Sequence, residues 1–289
     1  MDGQRVDEND IRAEATYHDV VGKLMESFIE NGSYKLMKEL TFEKEIIQKN
    51  IHDLLRHHEA KRHEIGYNLV AKFTTRKVYQ YDYTGLNEFL YDRGLLQEIT
   101  RLTSRNLKKD QGLLKVFAPY RLQPEFYIKP SFNKAGRELL KVEKCSELDV
   151  SLEEAAKLKR ENHESLRKVR LEYKRVITQI ESYNKLLPEQ KVKHKYGSLS
   201  RLQKPFTYDV KRITEPHAIQ LLMEFGKPNM EKLELYIAKG FISNSEIESF
   251  RALKDIKLEF VILDIDEERA ILSSFHQRKM SNLSSYLSL

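Results

Sequence analysis

The sequence predicts an α+β protein that is predominantly α-helical. Its frame is a long antiparallel helical hairpin or coiled coil with a small strand-bearing tip inserted in it, followed by a small C-terminal α+β domain. Three observations predict this class. Residues 151–187 carry a marked helix start and an unbroken apolar seam. Residues 33–65 carry a second apolar stripe at helical spacing. The chain is also poor in turn formers, with 11 Gly and 7 Pro in 289 residues, which disfavours a many-stranded sandwich or barrel.

Ser151 and Glu154 form a capping box ahead of residues 151–187, and Pro188 ends the segment. Leu166, Val169, Tyr173, Val176, Ile180, Tyr183 and Leu187 then alternate in steps of three and four, the signature of an assembly seam. The same register run backwards falls on Leu152, Ala155, Lys159 and Asn162, so its front half is polar. Leaving such a seam in water forgoes about 1.5–3 kcal/mol per large side chain. The helix expected at 33–65 is the nearest cover, folded back antiparallel, and a second copy of the chain is the alternative. In 33–65 the stripe is Leu36, Leu40, Ile47, Ile51 and Leu54, continued by His58 and Ile65.

The remaining elements follow from local signals. Residues 1–16 read as a flexible leader, and residues 17–29 as a helix stopped by Asn31-Gly32. Residues 68–83 read as one bent strand or a tight pair, with Tyr79, Tyr81 and Tyr83 at period two. Helices are expected at 86–93, 96–109 and 134–144, and two short edge strands in 112–130, a stretch broken by Pro119 and Pro124. Towards the C-terminus, a helix over 228–239 stops at Gly240, and a second capping box at Ser243 and Glu246 starts a helix to about residue 254. Residues 256–264 read as a buried strand, Asp266 as the cap of a last helix to about residue 279, and the end as a frayed tail. The expected organisation is thus a leader at 1–16, a helical domain at 17–188 with a strand-bearing insertion around 67–130, a basic linker at 189–212, and an α+β domain at 213–289.

Charge narrows the partner classes. The chain carries +6, and residues 185–212 alone hold eight cations against Glu189 and Asp209. The excess therefore sits in one segment and the rest is near neutral. In that segment Lys191, Lys193, Lys195, Arg201, Lys204, Lys211 and Arg212 are interleaved with Tyr196 and Phe206. Cations that pair with phosphates and aromatics that stack on bases are what single-strand binding needs. Residues 76–83 repeat that mixture with Arg76, Lys77 and three tyrosines.

Catalytic and metal motifs are weaker. His58-Glu59-Ala60-Lys61-Arg62-His63 resembles a zinc-protease HExxH, but its second histidine comes one residue late. On a helix that extra step turns the two imidazoles roughly 140° apart. Asp264, Asp266, Glu267 and Glu268 follow a strand, where carboxylates can hold Mg²⁺ in a nuclease. The same acids also suit a helix N-terminus. No phosphate loop, dinucleotide fingerprint or nucleophile elbow is present. The single cysteine, Cys145, excludes an internal disulfide framework and suits a reducing cytoplasm, and no apolar run reaches bilayer length.

These readings predict a non-enzymatic binding protein acting through a macromolecular partner, as an oligomeric scaffold or an inhibitor-type accessory protein, without a cofactor. The alternative is a nucleic-acid-binding protein using residues 191–212, with DNA or RNA as partner. The third is a metal-dependent nuclease built on Asp264 and Asp266. The lysine-rich, tryptophan-free composition, with a long helix beside a small mixed tip, resembles accessory proteins of phages and mobile elements. That likeness carries no motif and assigns no residue.

Overall fold

The computed structural model describes residues 8–108, 110–143, 148–182 and 191–287. The protein is α+β and mainly helical, with small antiparallel sheets. It divides into two compact units, Met1–Ala71 with Phe126–Gln203 and Lys72–Glu125 with Lys204–Leu289.

In chain order the elements are α1 (Glu8–Glu30), α2 (Ser33–Leu55), β1 (Arg62–Gly66), β2 (Leu69–Tyr81), α3 (Tyr83–Asp92), α4 (Leu96–Ile99), β3 (Thr100–Arg101), α5 (Gln111–Val116), β4 (Phe126–Phe132), α6 (Lys134–Leu139), α7 (Leu152–Ser182), β5 (Lys191–His194), β6 (Gly197–Gln203), α8 (Pro216–Phe225), β7 (Lys227–Pro228), α9 (Met230–Ala238), α10 (Asn244–Glu248), β8 (Arg251–Asp264) and α11 (Ile265–Leu287). Short 3₁₀ turns lie at Ala118–Tyr120 and Val210–Arg212.

The first unit is built on α1, α2 and α7. Residues 8–16, expected as leader, already belong to α1; residues 1–7 lie outside the described residues. Asn31-Gly32 does stop α1: Gly32 takes φ +83°, and the Asn31 carboxamide accepts from the Ser33 N–H at 2.9 Å. α2 ends at Leu55, ten residues before the expected end. Its buried positions are Leu40, Ile47, Ile51 and Leu55, while Leu36 and Leu54 are exposed. One further turn would bring His58 and Glu59 onto that side, so extending the helix would bury nothing apolar. Instead Tyr67 and Asn68 take φ +52° and +59°, the two left-handed positions of a type I′ hairpin turn joining β1 to β2.

Contacts between α2 and α7 run in reversed order along the two helices. Tyr34 meets Tyr173, the Leu40 carbonyl accepts from Asn162, and Asn50 donates to the Leu148 carbonyl just before α7. Leu166 and Val169 pack with Phe28 and Leu40; further along, Ile180 packs with Val21, Met25 and Ile29 of α1. The described part of the seam is therefore covered within the chain. Tyr183, Leu187 and the stop at Pro188 lie outside the described residues, as does Cys145.

Residues 191–203, expected as linker, are strands. β5 and β6 form a hairpin, and β4 pairs along the other edge of β6, giving the order β4-β6-β5. The inward face, with Ile128, Phe132, Val192 and Leu199, packs with Val21, Met25 and Ile29 of α1. The alternation of lysine with Val192 and His194 is the local strand signal in this segment. Gly197 is needed at the start of β6 because a Cβ there would lie 2.0 Å from the Ser131 carbonyl oxygen.

The second unit has a core of Leu86, Leu90, Ile99, Leu107, Phe117, Ile213 and Leu222, among others. The helix expected at 96–109 is only α4, because Thr100 and Arg101 pair with Pro228 and Lys227. Buried Asn87 holds this junction, donating to the Met223 and Gly226 carbonyls (2.9 Å each) and accepting from the Thr100 hydroxyl at 3.1 Å. Of residues 112–130, only the end is a strand, β4; Asp110 caps α5 instead, accepting from the N–H groups of Gly112 (2.8 Å) and Leu113 (3.1 Å). α8 has no counterpart among the expected elements, although Pro216 in its first turn and the Glu215 cap on Ala218 N–H were local signals.

α9 and the Ser243–Glu246 capping box stand where expected, but α10 stops at Glu248. β8 is longer than the expected buried strand and largely exposed: Ile256 is 55% and Leu258 67% accessible. It neighbours β2 in a sheet, and there the Phe260 and Phe73 rings lie 4.9 Å apart. α11 continues to Leu287, past the expected end. Among the described residues no helix is long and apolar enough to cross a membrane.

Candidate nucleic-acid interface

The basic segment does not remain one patch. Lys191, Lys193, Lys195, Tyr196 and Arg201 belong to the first unit, while Lys204, Phe206, Lys211 and Arg212 belong to the second. Several of these groups are also matched inside their own unit. Lys195 Nζ lies 2.9 Å from Glu30, Lys204 Nζ 2.9 Å from Glu125, and Lys211 Nζ 2.8 Å from Glu98. The hydrogen bond to Glu30 holds the Lys195 ammonium above its ordinary pKa, and the same contact holds the Glu30 carboxyl below its own. Tyr196 also donates its hydroxyl to Glu30 at 2.9 Å. The Arg201 guanidinium stacks 3.9 Å above the Phe126 ring, and Arg121 lies 4.0 Å above Phe206.

Two of the expected cations, Lys191 and Lys193, do come together on a face with residues that sequence reasoning missed. In the β4-β6-β5 sheet the register sets Lys129 opposite Ser200 and Ser200 opposite Lys191. One step along, Ser131 pairs with Ser198 and Ser198 with Lys193, while Tyr127 pairs with Leu202. Strand alternation puts all eight side chains on the side away from α1. Lys129, Lys191 and Lys193 are exposed, and Tyr127 is 42% accessible. Among the described residues no acid occupies a position of β4, β5 or β6 on this face, and none of these lysines has a carboxylate partner. Small serines run down the middle: Ser131 and Ser198 Oγ atoms hydrogen-bond at 2.9 Å, and Ser198 is buried.

A second basic feature lies along α7. Lys159, His163, Arg167, Arg170 and Lys174 recur in steps of three and four on one stripe beside the apolar seam, and no acid interrupts them. The stripe rises about 22 Å from end to end. In the sequence it was masked by intervening Glu161, Glu164 and Glu172, which a helix turns to its other side.

The two metal motifs resolve into local structure. Because α2 stops early, His58 and His63 do not sit on a helix; their rings meet edge-on at 5.4 Å, contrary to the divergence a helix would impose. His63 Nε2 is 2.7 Å from the Ala60 carbonyl. Asp264 accepts from the Asp266 N–H at 3.0 Å and Asp266 pairs with Arg269 at 3.3 Å, as acids do at a helix start. Glu268 is buried and bridged to Lys72. Among the described residues no three His, Cys, Asp or Glu side chains are placed to hold one metal ion.

No protein-family model, curated protein or solved structure matches this chain.

Proposed function

We propose that the chain is a non-enzymatic binding protein whose macromolecular partner is single-stranded nucleic acid, held by its phosphates on the β4-β6-β5 face. One observation carries the reading: the exposed Lys129, Lys191 and Lys193 share one sheet face with the exposed Tyr127, and among the described residues no acid occupies a position of the three strands on that face. Lysines supply the salt-dependent attraction to phosphate, and an exposed tyrosine offers a ring for base stacking. A flat strand face admits an unpaired strand more readily than it fits a duplex groove. The α7 stripe adds positive potential to the same unit.

In this reading α2 and α7 act as an antiparallel helical hairpin that supports the sheet; the reversed order of their contacts supports it. The test is a titration of labelled single- and double-stranded DNA and RNA at two salt concentrations. Single strands should bind with micromolar affinity at low salt, with a steep loss on raising it. Absence of binding at low salt refutes the reading, and equal binding to duplex removes the single-strand preference.

A further inference from the structure

In the first unit, a cavity of about 350 Å³ opens between α2 and α7. Its walls include Lys44, Lys159, Asn162, His163, Arg170 and Lys174. Lys159 is the unusual member. It is 6% exposed, and among the described residues no carboxylate pairs with it. Burial, together with repulsion from another cation, Lys44, lowers the Lys159 pKa to about 8. The neighbouring acid, Glu43, accepts instead from the Asn162 amide at 2.8 Å. Lysines with a purely structural role run their ammonium to water or meet an acid. This one meets no acid, and the little exposure it keeps is beside a cavity whose other charged walls are cationic. A buried cation without a counter-charge is costly, and an arriving anion removes that cost.

We propose that this cavity is a binding site for a terminal phosphate group, with Lys159 of α7 as its innermost ligand and Lys44 joining it from α2. A terminal phosphate fits better than a chain phosphodiester. It brings about −1.5 to −2 charges in one compact group, against several cations, and carries a substituent on one side only. The volume is at the small end of ligand sites, enough for a phosphate and part of what carries it. Two sources share this chemistry: a free phosphate or nucleotide, and the phosphorylated end of a nucleic-acid strand. Only the second source rests on the nucleic-acid reading given above.

The test is calorimetry on the full chain with inorganic phosphate, against chloride at matched ionic strength, and then with a short oligonucleotide bearing either a 5′-phosphate or a 5′-hydroxyl. Saturable phosphate binding is expected, weakened at least about tenfold in Lys159→Met and in Lys44→Gln. Lys159→Met keeps the aliphatic packing and removes an unmatched charge, so it should fold; Lys44→Gln alters a half-buried position on α2 and serves if it does not. A gain for the 5′-phosphorylated strand that disappears in either variant assigns the site to a strand end. Binding of free phosphate with no such gain assigns it to a small phosphate ligand. Binding of phosphate without any oligonucleotide binding keeps the site and removes only the nucleic-acid reading. No saturable phosphate binding by the wild type, or binding unchanged in both variants, overturns the proposal.

Discussion

Lys129 and Lys191 face one another across Ser200, the residue with which each is paired in the β4-β6-β5 sheet. Two strand spacings separate them, about 10 Å, so one chain of phosphates can run between the two ammonium groups. Substituting Lys129, Lys191 and Lys193 together by Ala should weaken single-strand binding. It should also reduce the slope of log K against log salt by about 2, at about 0.7 per neutralised phosphate contact. Fluorescence anisotropy at several salt concentrations reads both quantities. An unchanged slope would mean that phosphates are met elsewhere.

The matched lysines make the complementary case. Lys195, Lys204 and Lys211 each meet an acid within 2.9 Å. Their replacement by Ala should change nucleic-acid affinity by less than the three-lysine variant of the sheet face, at equal change in net charge. Exposed pairs of this kind are worth about 0–1 kcal/mol, so stability should shift little. Equal losses from the two variants would show that net charge, and not the arranged face, controls binding.

Asn162 joins α7 to α2 through the Leu40 carbonyl at 2.9 Å and is 3% exposed. Asn162→Ala removes this bond and the one to Glu43, so a loss of about 1–3 kcal/mol is expected. Urea unfolding should show a lower midpoint with the same m-value.

Burial of the seam within one chain has its own signature. Leu166→Ala should destabilise by about 2–5 kcal/mol, the range for a buried leucine. If α1 and α2 of the same chain are the cover, the unfolding midpoints of wild type and variant stay independent of protein concentration. A midpoint that rises with concentration would mark a seam completed by a second copy.

Lys159 predicts an alkaline gain in stability. Its pKa falls from 10.5 to about 8 on folding. Between those values the unfolded chain binds more protons than the folded one, so the free energy of unfolding rises with pH, by up to about 1.4 kcal/mol per unit from this group. The handicap is fully present below about pH 8 and gone above about 10.5. Lys159→Met should remove this rise and be the more stable protein at pH 7. Equilibrium unfolding across that pH range, wild type against variant, isolates the contribution from other titrating groups.

The sequence by itself determined what depends on neighbours in the chain. The Ser243–Glu246 box, the glycine stops after α1, α3 and α9, and the three-and-four spacing of Leu166 to Ile180 are local signals, each read from a few adjacent residues. Tertiary structure decided everything set by pairing between distant residues. Residues 191–203 became strands because β4, some 70 residues earlier in the chain, offers β6 an edge. Pairing with Pro228 cut α4 short, and α2 ended where no further apolar residue could reach α7. The candidate site belongs to this second kind. Lys129 and Lys191 share a face only through Ser200, and Lys159 meets Lys44 only across two packed helices. Charge counted along a chain cannot separate a cation matched by a distant acid, such as Lys195 with Glu30, from one left facing water, because Coulomb interactions follow distance in space and not position in sequence.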